Sequence, residues 1–369
     1  LLYFTAGNAL YMFGSSGASL AGTPAFFIAV SIGGLALGTI VNVLGLDVGK
    51  WLNNVGAASR WIVTLVLIAL GVLLWWKFGS ATPINLATVR PGLGLKDVIF
   101  WSVIAFAWTG PEAIAFMSGE VKDPRRSIPR GLAIAAPAIA AIYIAGTASV
   151  LVAVPATHVS GLYGVMQSIA AGATRIGWSV VTPVAAVLVT ISCLGSVGAW
   201  LGAVARIPFV AGIDRYLPAA FGRMHPRWGS PVVALITQAA LAAIFILLGQ
   251  GGTSVKGAYD VLVSTTVIIT FIPFLALFAS AIKLHSGSAP GDIRIPGGKV
   301  TVVIGAAIGL LTTAGSIVLA AFPADDEPNK VLAVVKVLGL TAVMVASGLA
   351  FYRFGGQRAS LRPPTQNMG

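Results

Sequence analysis

The 369 residues are 57% hydrophobic and only 9% charged, and the mean hydropathy is +0.92. A soluble chain carries about 25% charged residues, and no water-soluble core of this size hides so much apolar surface, so the solvent that accepts it is a lipid bilayer. The net charge of +12 would suggest a nucleic-acid partner in a soluble protein, but here the basic residues sit in short loops between apolar runs, which argues for membrane lipid and against nucleic acid.

Leu1-Leu2-Tyr3-Phe4 opens inside an apolar run, without a basic n-region or a small-residue cleavage site. It reads as a helix cut internally and not as a signal peptide. The first 46 residues carry no Asp, Glu, Lys or Arg, and Gly22-Thr23-Pro24 divides them into segments over 1–20 and 24–45. Arg60 and Lys77 bracket a third segment, 57–78, and a fourth covers 97–119 with Glu112 inside it. Further apolar runs predict helices over 130–155, 177–205, 229–249, 259–283, 300–323 and 331–353. About 20 apolar residues cross the hydrocarbon. The expectation is therefore an all-α integral membrane protein: a bundle of about ten transmembrane segments in one domain over 1–369.

Charge orients the bundle. One set of alternate loops, with the C-terminal tail, holds sixteen of the 23 Lys and Arg residues; the other set holds Lys77, Arg90, Lys96, Arg175, Lys256 and Lys330. The richer side is expected to be cytoplasmic, which puts the C-terminus there and the Asp325-Asp326-Glu327 cluster outside. Lys336, within the last segment, is expected to snorkel to the outer interface. Gly34 with Gly38, and Gly198 with Gly202, are four apart, which suits close helix packing. The lone Cys193 forms no intramolecular disulfide.

The stretch most informative about chemistry is Phe106-Ala107-Trp108-Thr109-Gly110-Pro111-Glu112. Pro111 cannot donate to a helix ladder and pushes Gly110 from helical geometry, so the fourth segment is expected to break near 107–111. Lipid does not tolerate the backbone groups so exposed, which must line a cavity or be buried in protein; half-helix ends of this kind hold substrates in secondary transporters. Glu112, just beyond the break, is the acidic residue set well inside a span, where a carboxylate costs at least about 2.5–3.5 kcal/mol. It is a candidate to take up and release a proton. His158, His225 and His285 lie in separate loops, so no metal site is expected. No ATPase loop and no nucleophile–base pair appears, so neither a cofactor nor an enzymatic role is expected.

Three runs carry a resemblance: "FAWTGPEAIAFMSGEVKDPRRSIPRG" (106–131), "ARIPFVAGIDRYLPAAFGRMHPRWGSP" (205–231) and "RIPGGK" (294–299). In this order they resemble the sixth helix and following loop, the eighth-to-ninth connection, and the loop before the eleventh helix of the amino acid–polyamine–organocation transporters. That resemblance implies a LeuT-like fold of inverted five-helix repeats, with the first two helices and part of the third lacking. It implies a permease or antiporter in the plasma or inner membrane, moving amino acids or related amines by alternating access, with proton coupling or exchange. Phe106 matches an aromatic gate, and Ala107, Trp108, Thr109 and Gly110 match the unwound segment whose backbone accepts a substrate amine. Trp200, in "CLGSVGAW", and Asn8, in "AGNALY", match further substrate-facing positions. Glu112 matches a coupling carboxyl. Arg60 falls where many members carry a lysine in place of a sodium ion, and Arg there hardly deprotonates. The alternative expectation is a non-transporting membrane subunit or amino-acid sensor with the same fold.

Overall fold

The computed structural model describes residues 1–85, 94–112, 121–286, 298–323 and 329–360, with isolated positions between these ranges. Parts of the 97–119 segment, most of the 294–299 motif, and Asp325-Asp326 lie outside the described residues. Among the described residues all regular structure is helical: α1 (Leu2–Ala9), α2 (Ser15–Leu20), α3 (Pro24–Val43), α4 (Leu46–Phe78), α5 (Leu95–Ala107), α6 (Pro124–Ala153), α7 (Gly164–Ile176), α8 (Val181–Val204), α9 (Arg206–Ile213), α10 (Val232–Gln250), α11 (Val255–Ser286), α12 (Gly298–Ala320) and α13 (Lys330–Ser360). Eight stretches among them are long and apolar enough to cross a bilayer. The chain is an all-α, multi-pass membrane protein.

Local chemistry places the helix ends. Pro24 opens α3, where its missing N–H costs nothing, and Gly45 and Gly79, at φ 105° and 75°, flank the 33-residue α4. Asp47 in the first turn of α4 and Lys77 in its last complement the helix dipole. This helix begins at Leu46 and not at 57, because Asp47 and Lys50 pair at 2.7 Å across one turn and do not interrupt the ladder. The 1–20 stretch is divided: α1 gives way to a 3₁₀ turn over Leu10–Phe13, and Gly14 at φ 56° turns the chain so that Gly17 lies against the Leu10 carbonyl. The amphipathic α7 lies in a connection where no segment was expected. Thirteen residues are too few to cross, and it packs Met166 and Ile169 against α4 and α8.

Two apolar clusters hold the larger part of the bundle. In one, Tyr3, Phe27, Leu35, Val197, Leu201 and Ile246 bring α1, α3, α8 and α10 together. In the other, Val267, Ile268, Phe271 and Leu340 join α11 to α13, with Phe106 of α5 packed against them. Small residues set the closest approaches, as lipid-embedded helices require. A Cβ built on Gly56 of α4 would lie 2.7 Å from the Cα of Gly195 on α8, and one on Gly38 of α3 would lie 3.1 Å from Leu201. Gly34, Gly198 and Gly202 likewise face side chains of neighbouring helices. Lys336 Nζ donates to the carbonyls of Gly249, at 2.8 Å, and Gly251, at the end of α10. A helix C-terminus leaves carbonyls without intrahelical partners, and these accept the ammonium.

Candidate functional site

Helix α5 is 13 residues long, or about 20 Å, against a hydrocarbon thickness of about 30 Å. It ends at Ala107. Trp108 caps it, and Gly110 follows at φ 121°, a conformation few residues other than glycine adopt. The carbonyls left open are partly satisfied. Thr109 folds back, its N–H and Oγ1 both donating to the Phe106 carbonyl at 2.9 and 2.7 Å. Tyr143 of α6 donates its Oη to the Ala107 carbonyl at 2.9 Å. Among the described residues no donor reaches the carbonyls of Trp108 or Thr109. Glu112 turns back over the break: its Oε2 accepts from the Gly110 N–H at 2.6 Å, and its Oε1 carries no hydrogen bond among the described residues.

Aromatic rings surround this break. Phe106 meets Phe271 of α11 edge-on, with ring centres 6.3 Å apart, and Trp108 meets Tyr143 edge-on at 5.8 Å. Trp200 of α8 faces Gly110, since a Cβ built there would lie 3.8 Å from Cζ2 of the indole. Trp108 and Trp200 remain 44% and 40% exposed, so two indole rings stand open beside the backbone carbonyls of the break and a carboxylate. Such a set accepts a cation: carbonyl and carboxylate oxygens take N–H donors, and indole faces attract the charge.

Arg60 approaches the same face of α8. Its guanidinium donates from Nε to Ser192 Oγ at 3.1 Å and from a terminal nitrogen to Ser196 Oγ. Ser192, Ser196 and Trp200 recur every four residues and share one helix face, so Arg60 and Trp200 sit along a single polar line. No carboxylate pairs with Arg60 among the described residues, and its guanidinium donates to two serine hydroxyls.

Asn8 is placed elsewhere. It is fully buried on α1, its Nδ2 donating to the carbonyls of Phe4, at 2.6 Å, and Leu162, at 3.3 Å; among the described residues its Oδ1 has no partner. No hydrogen bond among the described residues joins it to 106–112. Sequence reasoning missed Tyr143, Phe271 and the Ser192–Ser196 pair. The one available signal for Tyr143 was a polar-tipped aromatic in an Ala- and Ile-rich helix, which needs a partner when buried in lipid. Among the described residues no group of His, Cys, Asp or Glu is arranged to hold a metal.

Comparison with known proteins agrees in kind. The chain is similar to an uncharacterized transporter of Legionella pneumophila, 27% identical over 300 residues, covering 79% of this chain and 64% of the relative. It is similar to the cadaverine/lysine antiporter of Escherichia coli K12, 25% identical over 243 residues, covering 64% of this chain and 53% of the antiporter. A probable agmatine/putrescine antiporter of Lactococcus lactis is 24% identical over 291 residues, covering 77% of this chain and 61% of the relative. The chain thus spans between about half and two thirds of the length of these relatives. A family model described as "Amino acid permease" matches residues 1–343, nearly the whole chain. The chain belongs to the amino acid permease family.

Proposed function

We propose that the protein is a secondary active transporter of amino acids or their decarboxylated amines in the plasma or inner membrane, and that it holds the substrate ammonium at the α5 break. The observation that carries this reading is the break itself: α5 stops at Ala107, the carbonyls of Trp108 and Thr109 and one oxygen of Glu112 have no hydrogen-bond partner among the described residues, and the indoles of Trp108 and Trp200 are exposed alongside. The low-identity relatives named for lysine, cadaverine, agmatine and putrescine support a cationic amine as the recognised group. The two substrates in each of those names also support exchange, an amino acid for its amine in one and one amine for another in the other.

In this reading Glu112 has two tasks. Its carboxylate keeps Gly110 turned by accepting the backbone N–H. Its second oxygen pairs with the substrate ammonium or with a proton, which ties transport to pH. Arg60 stands where a fixed positive charge crosslinks α4 to α8 through Ser192 and Ser196, and as an arginine it keeps that charge throughout the cycle. We place the C-terminus in the cytoplasm, on the side holding sixteen of the 23 basic residues.

The test is exchange of radiolabelled lysine and cadaverine in proteoliposomes at several pH values, comparing the gene product containing this chain with its Glu112→Gln variant. The expected result is loss of exchange, or of its pH dependence, in the variant. Equal exchange by both proteins at every pH refutes the role of Glu112.

A further inference from the structure

A second polar network lies where α10 turns into α11, away from the α5 break. Helix α10 ends at Gln250 and α11 starts at Val255, with Ser254 capping it through the Gly257 N–H at 3.0 Å. The corner therefore presents the negative end of one helix dipole next to the positive end of another. The chain around the start of α13 supplies the two opposite charges. Lys336 donates to the last carbonyls of α10, Gly249 at 2.8 Å and Gly251. Glu327 accepts from Thr253 Oγ1 at 3.4 Å and lies over the first turn of α11, where a Cβ built on Gly257 would come 2.6 Å from its Oε2. Glycine at 257 is what lets the carboxylate approach.

Gln250 extends the network inward. Its Oε1 accepts from the buried Tyr3 Oη of α1 at 2.7 Å, and its Nε2 donates to the Thr253 carbonyl at 2.8 Å. Four helices thus meet in one set of hydrogen bonds. Behind it lies a small cavity of about 20 Å³, room for about one water molecule, lined by Asp260, Val261, Phe322, Glu327 and Val337 among others. Val261 and Val337, 3% and 5% exposed, belong to the apolar cluster against which Phe106 packs.

We propose that Lys336 and Glu327 form a two-point electrostatic clasp that holds α13 on the α10–α11 corner and controls access from that end of the bundle to the cavity at Val261. The clasp matches each charge to a helix end of opposite sign, so losing either charge frees the corner without emptying the apolar core. It is independent of which substrate is moved, and of whether one is moved at all.

Thiol accessibility tests it. On a Cys193→Ala background, Val261→Cys is labelled in proteoliposomes by a charged, membrane-impermeant thiol reagent, with rates normalised to a free thiol. Lys336→Met and Glu327→Gln are each expected to raise the rate about tenfold, the equivalent of losing one hydrogen bond to a charged group. Lys336→Arg, which keeps a cationic donor, is expected to stay within about twofold of the parent. Raising the salt should speed labelling in the parent and leave Lys336→Met unchanged, because screening removes only what the clasp supplies. Rates in Glu327→Gln and Lys336→Met equal to the parent overturn the proposal, as does an Arg variant as fast as the Met variant. If Lys336→Met does not fold, Glu327→Gln and the salt dependence of the parent decide the matter by the same criteria.

Discussion

Adding one methyl group at Gly195 sets two effects against each other. Alanine is a better helix former than glycine by about 1 kcal/mol, so propensity alone predicts that Gly195→Ala stabilises α8. Packing predicts the reverse. The new Cβ would stand 2.7 Å from Gly56 Cα and 2.9 Å from the Leu52 carbonyl, both backbone atoms of α4 that cannot swing aside. Carbon atoms pack best about 3.5–4.0 Å apart, so the two helices must separate by roughly 0.8 Å or more. Overpacking of this kind costs about 1–3 kcal/mol and outweighs the propensity gain at all but its lower end. The same movement lengthens the Arg60 Nε–Ser192 Oγ bond, now 3.1 Å, since Arg60 lies one turn beyond Gly56 and the serines flank Gly195. Heating the detergent-solubilised protein stepwise and measuring the surviving monodisperse fraction should show a midpoint lower by roughly 1–3 °C. Gly339→Ala, whose added Cβ meets nothing within 4 Å, is the matched control and should be unchanged or slightly stabilised. A Gly195→Ala variant as stable as that control would refute close α4–α8 packing.

Other substitutions report on the break. Tyr143→Phe removes the donor to the Ala107 carbonyl and should cost about 0.5–1.5 kcal/mol in thermal stability, with weaker binding of cadaverine measured by competition. Gly110→Ala forces a side chain into φ 121°, at a strain of about 1–3 kcal/mol, and should lower substrate binding far more than it lowers the yield of folded protein. Arg60→Lys keeps the charge but a single ammonium cannot span both Ser192 and Ser196 as the forked guanidinium does, so the midpoint should fall by a few degrees, while Arg60→Met should fall further. The Phe106→Ala variant should lose affinity through the missing ring contact with Phe271, worth about 0.5–1.5 kcal/mol beyond its buried area.

The features legible in the sequence are those written in adjacent residues. The membrane class followed from composition, and the end of α5 from the pairing of Gly110 with Pro111, whose backbone limits act within two residues. Glu112 stood out because a carboxylate in an apolar run is costly anywhere. What stayed hidden depends on partners far along the chain. The partners of Arg60 were not legible, because Ser192 and Ser196 lie more than 130 positions away in the chain. Lys336 read as a snorkelling residue because periodicity shows how near it is to a helix end, but not that the carbonyls of Gly249 and Gly251 come within reach of its ammonium. Helix starts misled for a related reason: charges such as Asp47 and Lys50 read as loop, yet they pair across one turn and leave α4 intact. The contacts of Asn8 were hidden in the same way, since its Nδ2 donates to the carbonyl of Leu162, more than 150 positions away, as well as to that of Phe4.

The central claim is that the α5 break recognises an ammonium group through Glu112 and the open carbonyls of Trp108 and Thr109. Its most direct test is calorimetric or scintillation-proximity binding of cadaverine to the purified gene product, against a neutral isostere in which the amines are replaced by hydroxyls. The account predicts saturable cadaverine binding that Glu112→Gln weakens, and little or no binding of the hydroxyl analogue. Binding of both compounds alike, or cadaverine binding untouched by Glu112→Gln, would contradict it.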